Sequence, residues 1–241
     1  MLHRCHIGLA CTLLSSAYVS SSRAADFWGG SLDVTSNYLV RGLSFSNDDP
    51  ALQGDIHYHS PAGWLAGIFA STAKLGHDIP ATVELDLYLG YTVQLSQDWA
   101  ARVQAVHYGF PWDRISRHYE YDEFVGALAY RDSLFFTASW TPDITTLTAE
   151  AAYRPNRSAF SYELATHLPL KGALAAVAGI GYFDLSDAAD LSYWYWNAGL
   201  SYAVGAVKLD LAYVGTSSQA EDIYYPGMAG DRVVATLSYH F

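Results

Sequence analysis

Three side chains that could bind a metal or move a proton alternate along one short segment. Asp55, His57 and His59 are spaced two residues apart, and Ser60 follows them. On a β-strand this spacing puts the carboxylate and both imidazoles on one face. Such a group could hold a transition metal, or His57, His59 and Ser60 could mark a lipid-cleaving site.

The geometry of a strand limits the metal alternative. Residues four positions apart lie about 13 Å apart at a rise near 3.3 Å per residue, so one ion cannot bind Asp55, His57 and His59 together. A polar lining on one strand face is the simpler interpretation. The sequence also has no phosphate-binding loop, zinc-finger spacing or nucleophile elbow. We therefore predict no cofactor, no metal and no enzyme activity.

The composition is unusual for a soluble chain. Of 241 residues, 15% are charged and 15% aromatic, with 19 Tyr and 7 Trp, and the formal net charge is −11. Soluble domains average about 25% charged residues, and Tyr and Trp favour places where an apolar region meets water. An acidic chain repels phosphate, which excludes nucleic acid as a partner.

The first 24 residues resemble a cleaved secretory signal peptide. Arg4 precedes an apolar stretch from Ile7 to Val19, and small residues follow up to Ala24. Cleavage there removes both cysteines and two of the 13 basic residues, which leaves a mature chain, residues 25–241, of net charge −13. The mature chain has no second apolar run near 18 residues, which excludes a membrane-spanning helix.

From residue 27 to the end, the hydrophobic pattern has a period of two. Between Val83 and Tyr91, for instance, apolar residues alternate with Glu84, Asp86, Tyr88 and Gly90. Tight turns alternate with long polar loops, as in an outer-membrane β-barrel. We predict an all-β, transmembrane, antiparallel up-and-down barrel of about 12 strands. The strands are expected at residues 30–43, 51–60, 64–75, 82–93, 99–110, 119–131, 134–143, 158–168, 173–183, 191–204, 206–215 and 232–241.

Two parts of this interpretation have alternatives. A soluble β-sandwich also alternates, but here the polar face is rich in Tyr, Gly, Ala and Asn, and aromatic residues lie toward strand ends as in membrane girdles. The segment Thr146 to Tyr153 alternates too. Because a thirteenth strand would reverse the last one, we interpret it as an extension of the seventh strand or a small loop hairpin, and residues 145–157 have no assigned role.

The last strand ends on an aromatic residue. Leu237, Tyr239 and Phe241 form an alternating apolar stripe that stops at the carboxyl terminus. An exposed strand edge can be captured by backbone pairing, with its alternate side chains in pockets. The stripe therefore predicts a recognition signal for the outer-membrane assembly machinery.

The amino-terminal part of the mature chain resembles a known family. Residues 31–44, which include Tyr38, Arg41 and Gly42, are followed by Pro50 and the pair Gln53-Gly54, and this pattern resembles the opening of the TorF-family porins. The resemblance continues through residues 140–143 and 209–214. It implies an outer-membrane barrel with a pore function and leaves the transported solute open.

Assigning the apolar face to lipid leaves a charged lumen. Seven acids then face four bases, a balance of −3, so a pore lined in this way should weakly prefer cations. The predicted lining is Asp33, Arg41, Asp55, His57, Glu84, Asp86, Arg102, Glu123, Glu163, Lys208, Asp210 and Arg232.

We therefore expect a porin-like channel in the bacterial outer membrane for passive diffusion of small hydrophilic solutes or ions. The alternatives are a plugged barrel with a structural or adhesive role and a lipid-modifying enzyme. Expected partners are outer-membrane lipids, the assembly machinery and lipopolysaccharide, which the basic loop with Arg114 and Arg117 would face.

Overall fold

The structure is a computed structural model that describes residues 27–75, 82–112, 119–144 and 157–241. The predicted signal peptide, the basic residues Arg114 and Arg117, and the segment from Thr146 to Tyr153 lie outside the described residues. Of the helices in the described part, none is long and apolar enough to cross a membrane.

Twelve strands close into one antiparallel barrel, which confirms the predicted fold class. Each strand pairs with its neighbours in the chain, and β1 closes the barrel against β14. The barrel strands are β1 (Phe27–Thr35), β4 (Ala51–His59), β5 (Trp64–Ala73), β6 (Thr82–Gln94), β7 (Trp99–Gly109), β8 (Tyr121–Tyr130), β9 (Leu134–Thr141), β10 (Ala159–Pro169), β11 (Leu174–Leu185), β12 (Leu191–Val204), β13 (Val207–Thr216) and β14 (Arg232–His240).

The remaining elements are short and lie at one end of the barrel. β2 (Leu39–Val40) and β3 (Leu43–Ser44) form a hairpin between β1 and β4. The helices α1 (Ser186–Ala189) and α2 (Gln219–Ile223) connect β11 to β12 and β13 to β14. The first residue of β1 and the last residue of β14 lie at the opposite end of the barrel, which we call the short-turn end. The end that carries the hairpin and the two helices is the loop end.

The two faces of each strand differ in the expected way. On β13, Leu209 and Leu211 are about half exposed, whereas Lys208 and Asp210, which alternate with them, are buried. Charge on the lipid side costs about 2–4 kcal/mol for Arg or Lys at the membrane midplane, so the polar face turns to the lumen. This alternation positions every candidate site residue on the strands.

The prediction of one strand over residues 30–43 is wrong. β1 ends at Thr35, and residues 36–50 leave the barrel wall as a folded loop. This loop contains the β2–β3 hairpin, and we call the hairpin the mouth hairpin. Its tip needs positive backbone φ angles, 49° at Arg41 and 79° at Gly42. A Cβ at Gly42 would lie 2.5 Å from Thr216 Cγ2, so glycine also allows the close approach to β13.

Candidate functional site

The inner wall of the barrel concentrates the predicted acidic side chains. All seven belong to the buried residues of the inner strand faces, and Glu84 and Glu123 are each only 1% exposed. The seven are Asp33, Asp55, Glu84, Asp86, Glu123, Glu163 and Asp210.

Several of these carboxylates have an oxygen that accepts no hydrogen bond from another group in the described residues. The oxygens are Asp33 Oδ1, Glu84 Oε2, Asp86 Oδ1, Glu123 Oε2 and Asp210 Oδ1, and all five are buried. A buried polar atom without a partner is costly unless water or an ion satisfies it. The lumen therefore has carboxyl oxygens without a protein partner, where a small cation or water can bind.

The four predicted bases lie toward the two ends of the barrel, Lys208 and Arg102 toward the short-turn end and Arg232 and Arg41 at the loop end. Lys208 Nζ is 2.9 Å from Asp210 Oδ2, so this pair neutralises itself near the short-turn end. Arg102 Nε donates to Thr92 Oγ1 at 3.1 Å. Arg232, at the loop end, contacts Asp48 of the mouth hairpin loop at 2.5 Å. Arg41 lies at the hairpin tip rather than on a barrel strand.

The segment singled out for its chemistry forms a network inside the barrel. His57 Nδ1 lies 2.5 Å from Asp55 Oδ1, and the Tyr88 hydroxyl donates to Asp55 Oδ2 at 2.6 Å. The ring of His59 stacks on Phe27 with 4.9 Å between centroids. These side chains line the inner wall near the short-turn end.

The positions of Ser60 and His57 bear on the lipid-cleaving alternative, and the grouping of possible metal ligands bears on the metal alternative. Ser60 lies in the turn after β4, where its hydroxyl accepts from the Trp64 N–H at 3.1 Å. The imidazole of His57 contacts Asp55 on the inner wall and is not presented to membrane lipid. Among residues 27–75, 82–112, 119–144 and 157–241, no three His, Cys, Asp or Glu residues are placed to hold a metal ion.

The mouth hairpin extends into the loop end of the barrel. Arg41 forms an ion pair with Glu123 and donates to Ser139 Oγ at 3.2 Å. Its guanidinium lies 4.5 Å from the centre of the Phe183 ring, and the Tyr193 hydroxyl donates to its carbonyl at 3.1 Å. The hairpin tip is thus held by β8, β9, β11 and β12.

A buried apolar cluster surrounds the hairpin tip. It brings together Leu39 and Leu43 of the hairpin, Tyr193 and Tyr195 of β12 and Tyr224 after α2. A cavity of about 40 Å³ lies beside Arg41 in this region. The loop end is therefore much narrower than the twelve-strand wall alone would make it.

These mouth residues were not among the predicted site residues. Tyr193 and Tyr195 alternate with Trp194 and Trp196 in an aromatic run, so the sequence does not tell which pair faces inward. The sequence feature that could have indicated a folded loop here was the polar set Asn37, Ser44 and Ser46. The Asn37 amide oxygen accepts from the Ser44 hydroxyl at 2.7 Å and from that of Ser46 at 3.1 Å, which folds the loop back on itself.

The predicted assembly stripe lies on the outer face. Leu237, Tyr239 and Phe241 are each at least half exposed. The backbone of Phe241 exchanges hydrogen bonds with Gly30 at 3.0 and 3.1 Å. The carboxyl terminus therefore forms the end of the closing seam between β14 and β1.

Comparisons with known proteins agree with this architecture. A family model described as "Bacterial protein of unknown function (Gcw_chp)" matches residues 24–239. No curated protein matches the chain. Among solved structures, the NanC porin is similar with a TM-score of 0.58 at 9% identity, covering 89% of this chain and 99% of that one. The KdgM porin is similar with a TM-score of 0.54 at 10% identity, covering 88% and 99%.

Proposed function

The chain belongs to the Gcw_chp family of bacterial proteins of unknown function, and we propose that it is a narrow, weakly cation-preferring channel of the bacterial outer membrane. The observation that carries the proposal is the inner wall of buried carboxylates, several with an oxygen free of protein partners. Its cargo is small ions and small hydrophilic solutes, which pass by diffusion without a cofactor or a catalytic step.

The charge balance of the lining supports the cation preference. Lys208 pairs with Asp210, and Arg41 pairs with Glu123. The other five acids of the lining outnumber the two remaining bases, Arg102 and Arg232, by three formal charges, and Arg232 is itself paired with Asp48 at the loop end. Because the surrounding protein and lipid have a low dielectric constant, this charge concentrates cations in the lumen.

The width of the barrel supports a small cargo. Eight strands leave an interior that side chains fill, and about 16 leave a wide aqueous channel, so twelve strands are intermediate. The mouth hairpin narrows the loop end further. Displacement of Arg41 from Glu123 would widen the path for larger solutes.

The proposed location and partners follow from the two ends of the barrel. The loop end faces lipopolysaccharide, and the outer wall faces lipid. We propose that Leu237, Tyr239 and Phe241 are recognised by the outer-membrane assembly machinery, because they form an exposed, alternating apolar stripe on a terminal strand.

Single-channel recording tests the proposal. The mature chain is purified in detergent, its folded state is checked by heat-modifiable migration, and it is reconstituted into a planar bilayer between unequal potassium chloride solutions. We expect discrete, ohmic steps and a reversal potential that favours potassium. A reversal potential that favours chloride would contradict the proposal.

A second candidate is a closed barrel with a structural or adhesive role. The apolar cluster around the hairpin favours it, because Leu185 and Tyr193 are fully buried there and leave little room for a path. A folded barrel that stays silent both as the wild type and as the Arg41→Ala variant would support this second function over the channel.

A further inference from the structure

The mouth hairpin holds one of its side chains in a site made by the barrel wall. The Arg41 guanidinium forms an ion pair with Glu123 on β8 and donates to the Ser139 hydroxyl on β9 at 3.2 Å. Its central carbon, Cζ, lies 4.5 Å from the centre of the Phe183 ring on β11. Three strands therefore supply a carboxylate, a hydroxyl and an aromatic ring around a single planar cation.

These three groups fit a guanidinium better than an ammonium ion. A guanidinium is a planar fork that can donate to both oxygens of a carboxylate while its face stacks on an aromatic ring. A cation within about 6 Å of a ring centre is also attracted by the π-electrons. The site therefore selects for the shape of the head group as well as for its charge.

The site has a hydrogen-bond acceptor that Arg41 does not use. Arg41 Nη2 donates both to Glu123 Oε1 and to Ser139. The other carboxyl oxygen, Glu123 Oε2, is buried and accepts no hydrogen bond from another group in the described residues. A buried acceptor without a donor is costly. Because a free molecule is not held at the tip of a hairpin, its guanidinium can turn and donate to both oxygens.

Backbone strain opposes the binding of the resident side chain. Arg41 has a φ angle of 49°, in the left-handed region that is unfavourable for a residue with a Cβ. When the guanidinium leaves the site, the hairpin tip can relax, so the strain weakens the hold on Arg41. A free solute has no such strain, but it competes with a tethered group whose effective concentration is in the millimolar range.

We propose that Glu123, Ser139 and Phe183, which we call the guanidinium site, bind small solutes that carry a guanidinium group. Arg41 occupies the site when no such solute is present. The solute reaches the site through the lumen, so the inference rests on the proposed channel and names one class of its cargo. Binding of the solute displaces Arg41 from Glu123 and releases the mouth hairpin, which opens the loop end to the solutes that the site recognises.

Chemical rescue of Arg41→Ala tests recognition by the site. Ethylguanidinium replaces the atoms that the substitution removes, and ethylammonium is the matched cation without the planar fork. We expect about 20 mM ethylguanidinium chloride to raise the midpoint of thermal unfolding in detergent by about 2–4 °C, and ethylammonium chloride by less than half as much. An equal rise with both ions, or no rise with either, would overturn the site. If the variant refolds poorly, the refolding yield with each ion gives the same comparison.

Two further variants show whether the effect belongs to this site. The double variant Arg41→Ala with Glu123→Gln is expected to lose the difference between the two ions, because it lacks the carboxylate. Arg131→Ala removes an arginine from an exposed turn, where its partner is Asp98, and should show no difference either. A difference that persists without Glu123, or that also appears in Arg131→Ala, would overturn the proposal. Heat-modifiable migration confirms that each variant is folded.

Hydrogen exchange of the wild type measures the displacement of Arg41. In the closed mouth, the Ser44 and Phe45 amides donate to the carbonyls of Met228 and Tyr38 at 2.8 and 2.7 Å. Agmatine and 1,4-diaminobutane carry the same charge, and only agmatine has a guanidinium. At about 50 mM of either, we expect these two amides to exchange about fivefold faster in agmatine, because release of the hairpin breaks their hydrogen bonds. Equal exchange in both solutions would overturn the displacement. Neither measurement needs an ion current, so a silent barrel would contradict the channel and not the binding site.

Discussion

Arg41 at the tip of the mouth hairpin forms an ion pair with Glu123 on the inner face of β8, 82 positions later in the chain. The pair joins the loop between β1 and β4 to the opposite part of the barrel wall. Because Glu123 is 1% exposed and the Arg41 side chain 12% exposed, it is shielded from bulk water. It therefore couples the conformation of the hairpin to the width of the mouth.

Replacing Arg41 with alanine is expected to loosen the hairpin. Removing one partner of a buried ion pair costs about 3–5 kcal/mol, because the other charge stays buried. We expect the free energy of unfolding by urea in detergent to fall and the single-channel conductance to rise. Arg131→Ala is the control. Its partner Asp98 is 3.1 Å away on an exposed turn, where such pairs contribute about 0–1 kcal/mol. Equal conductance in all three proteins would show that the hairpin does not limit the path.

Asp86 and Glu84 test the cation preference. Their carboxylates lie on the inner face of β6, and each has an oxygen without a protein partner. The double variant Asp86→Asn with Glu84→Gln changes the lining charge from −3 to −1. We expect the potassium-to-chloride permeability ratio, measured by reversal potential, to fall about twofold to threefold. Asp98→Asn, in the exposed turn between β6 and β7 at the short-turn end, should leave the ratio unchanged. An unaltered ratio in the double variant would contradict the proposed lining.

Sequence reasoning predicted the barrel well because a strand has a strict two-residue period. The alternation around Leu209 and Asp210 fixes which side chain faces lipid without any knowledge of the neighbours. The same rule placed the inner carboxylates on one face of each strand. Strand bounds shifted mainly where turn residues could extend either neighbour.

The mouth hairpin could not be predicted from the same rule. Residues 30–43 keep alternating past Thr35, and Tyr38, Leu39 and Leu43 are as apolar as a lipid-facing stripe. In the structure they are buried in the barrel mouth rather than exposed to lipid. An alternating pattern indicates that an apolar side chain is shielded from water. It does not indicate whether lipid or the rest of the protein shields it.

The closing seam predicts a strict requirement for glycine at position 30. A Cβ there would lie 2.4 Å from the Asp55 carbonyl oxygen and 2.8 Å from Phe241 Cζ. We expect Gly30→Ala to destabilise the barrel by about 1–3 kcal/mol through overpacking. The measurement is the midpoint of thermal unfolding, followed by heat-modifiable migration.

Gly54 is the matched control for this seam. It lies on the neighbouring strand β4, and a Cβ there would meet Leu32 Cδ2 at an ordinary 3.5 Å. Gly54→Ala is expected to leave the midpoint nearly unchanged. A Gly30→Ala variant as stable as the wild type would show that neither the Asp55 carbonyl nor the Phe241 ring restricts position 30.

A substitution at Phe241 distinguishes a role of the terminal stripe in assembly from a role in stability. Phe241 is 60% exposed on the outer face, so Phe241→Ala removes little packing inside the barrel. We expect the variant to refold in detergent with a yield close to that of the wild type. In cells, its amount in the outer membrane should fall several-fold, because the terminal stripe presented to the assembly machinery is incomplete. Leu32→Ala is the control, because Leu32 is similarly exposed on β1 and lies outside the stripe. Equal losses in cells for both variants would assign the defect to lost lipid contact rather than to recognition.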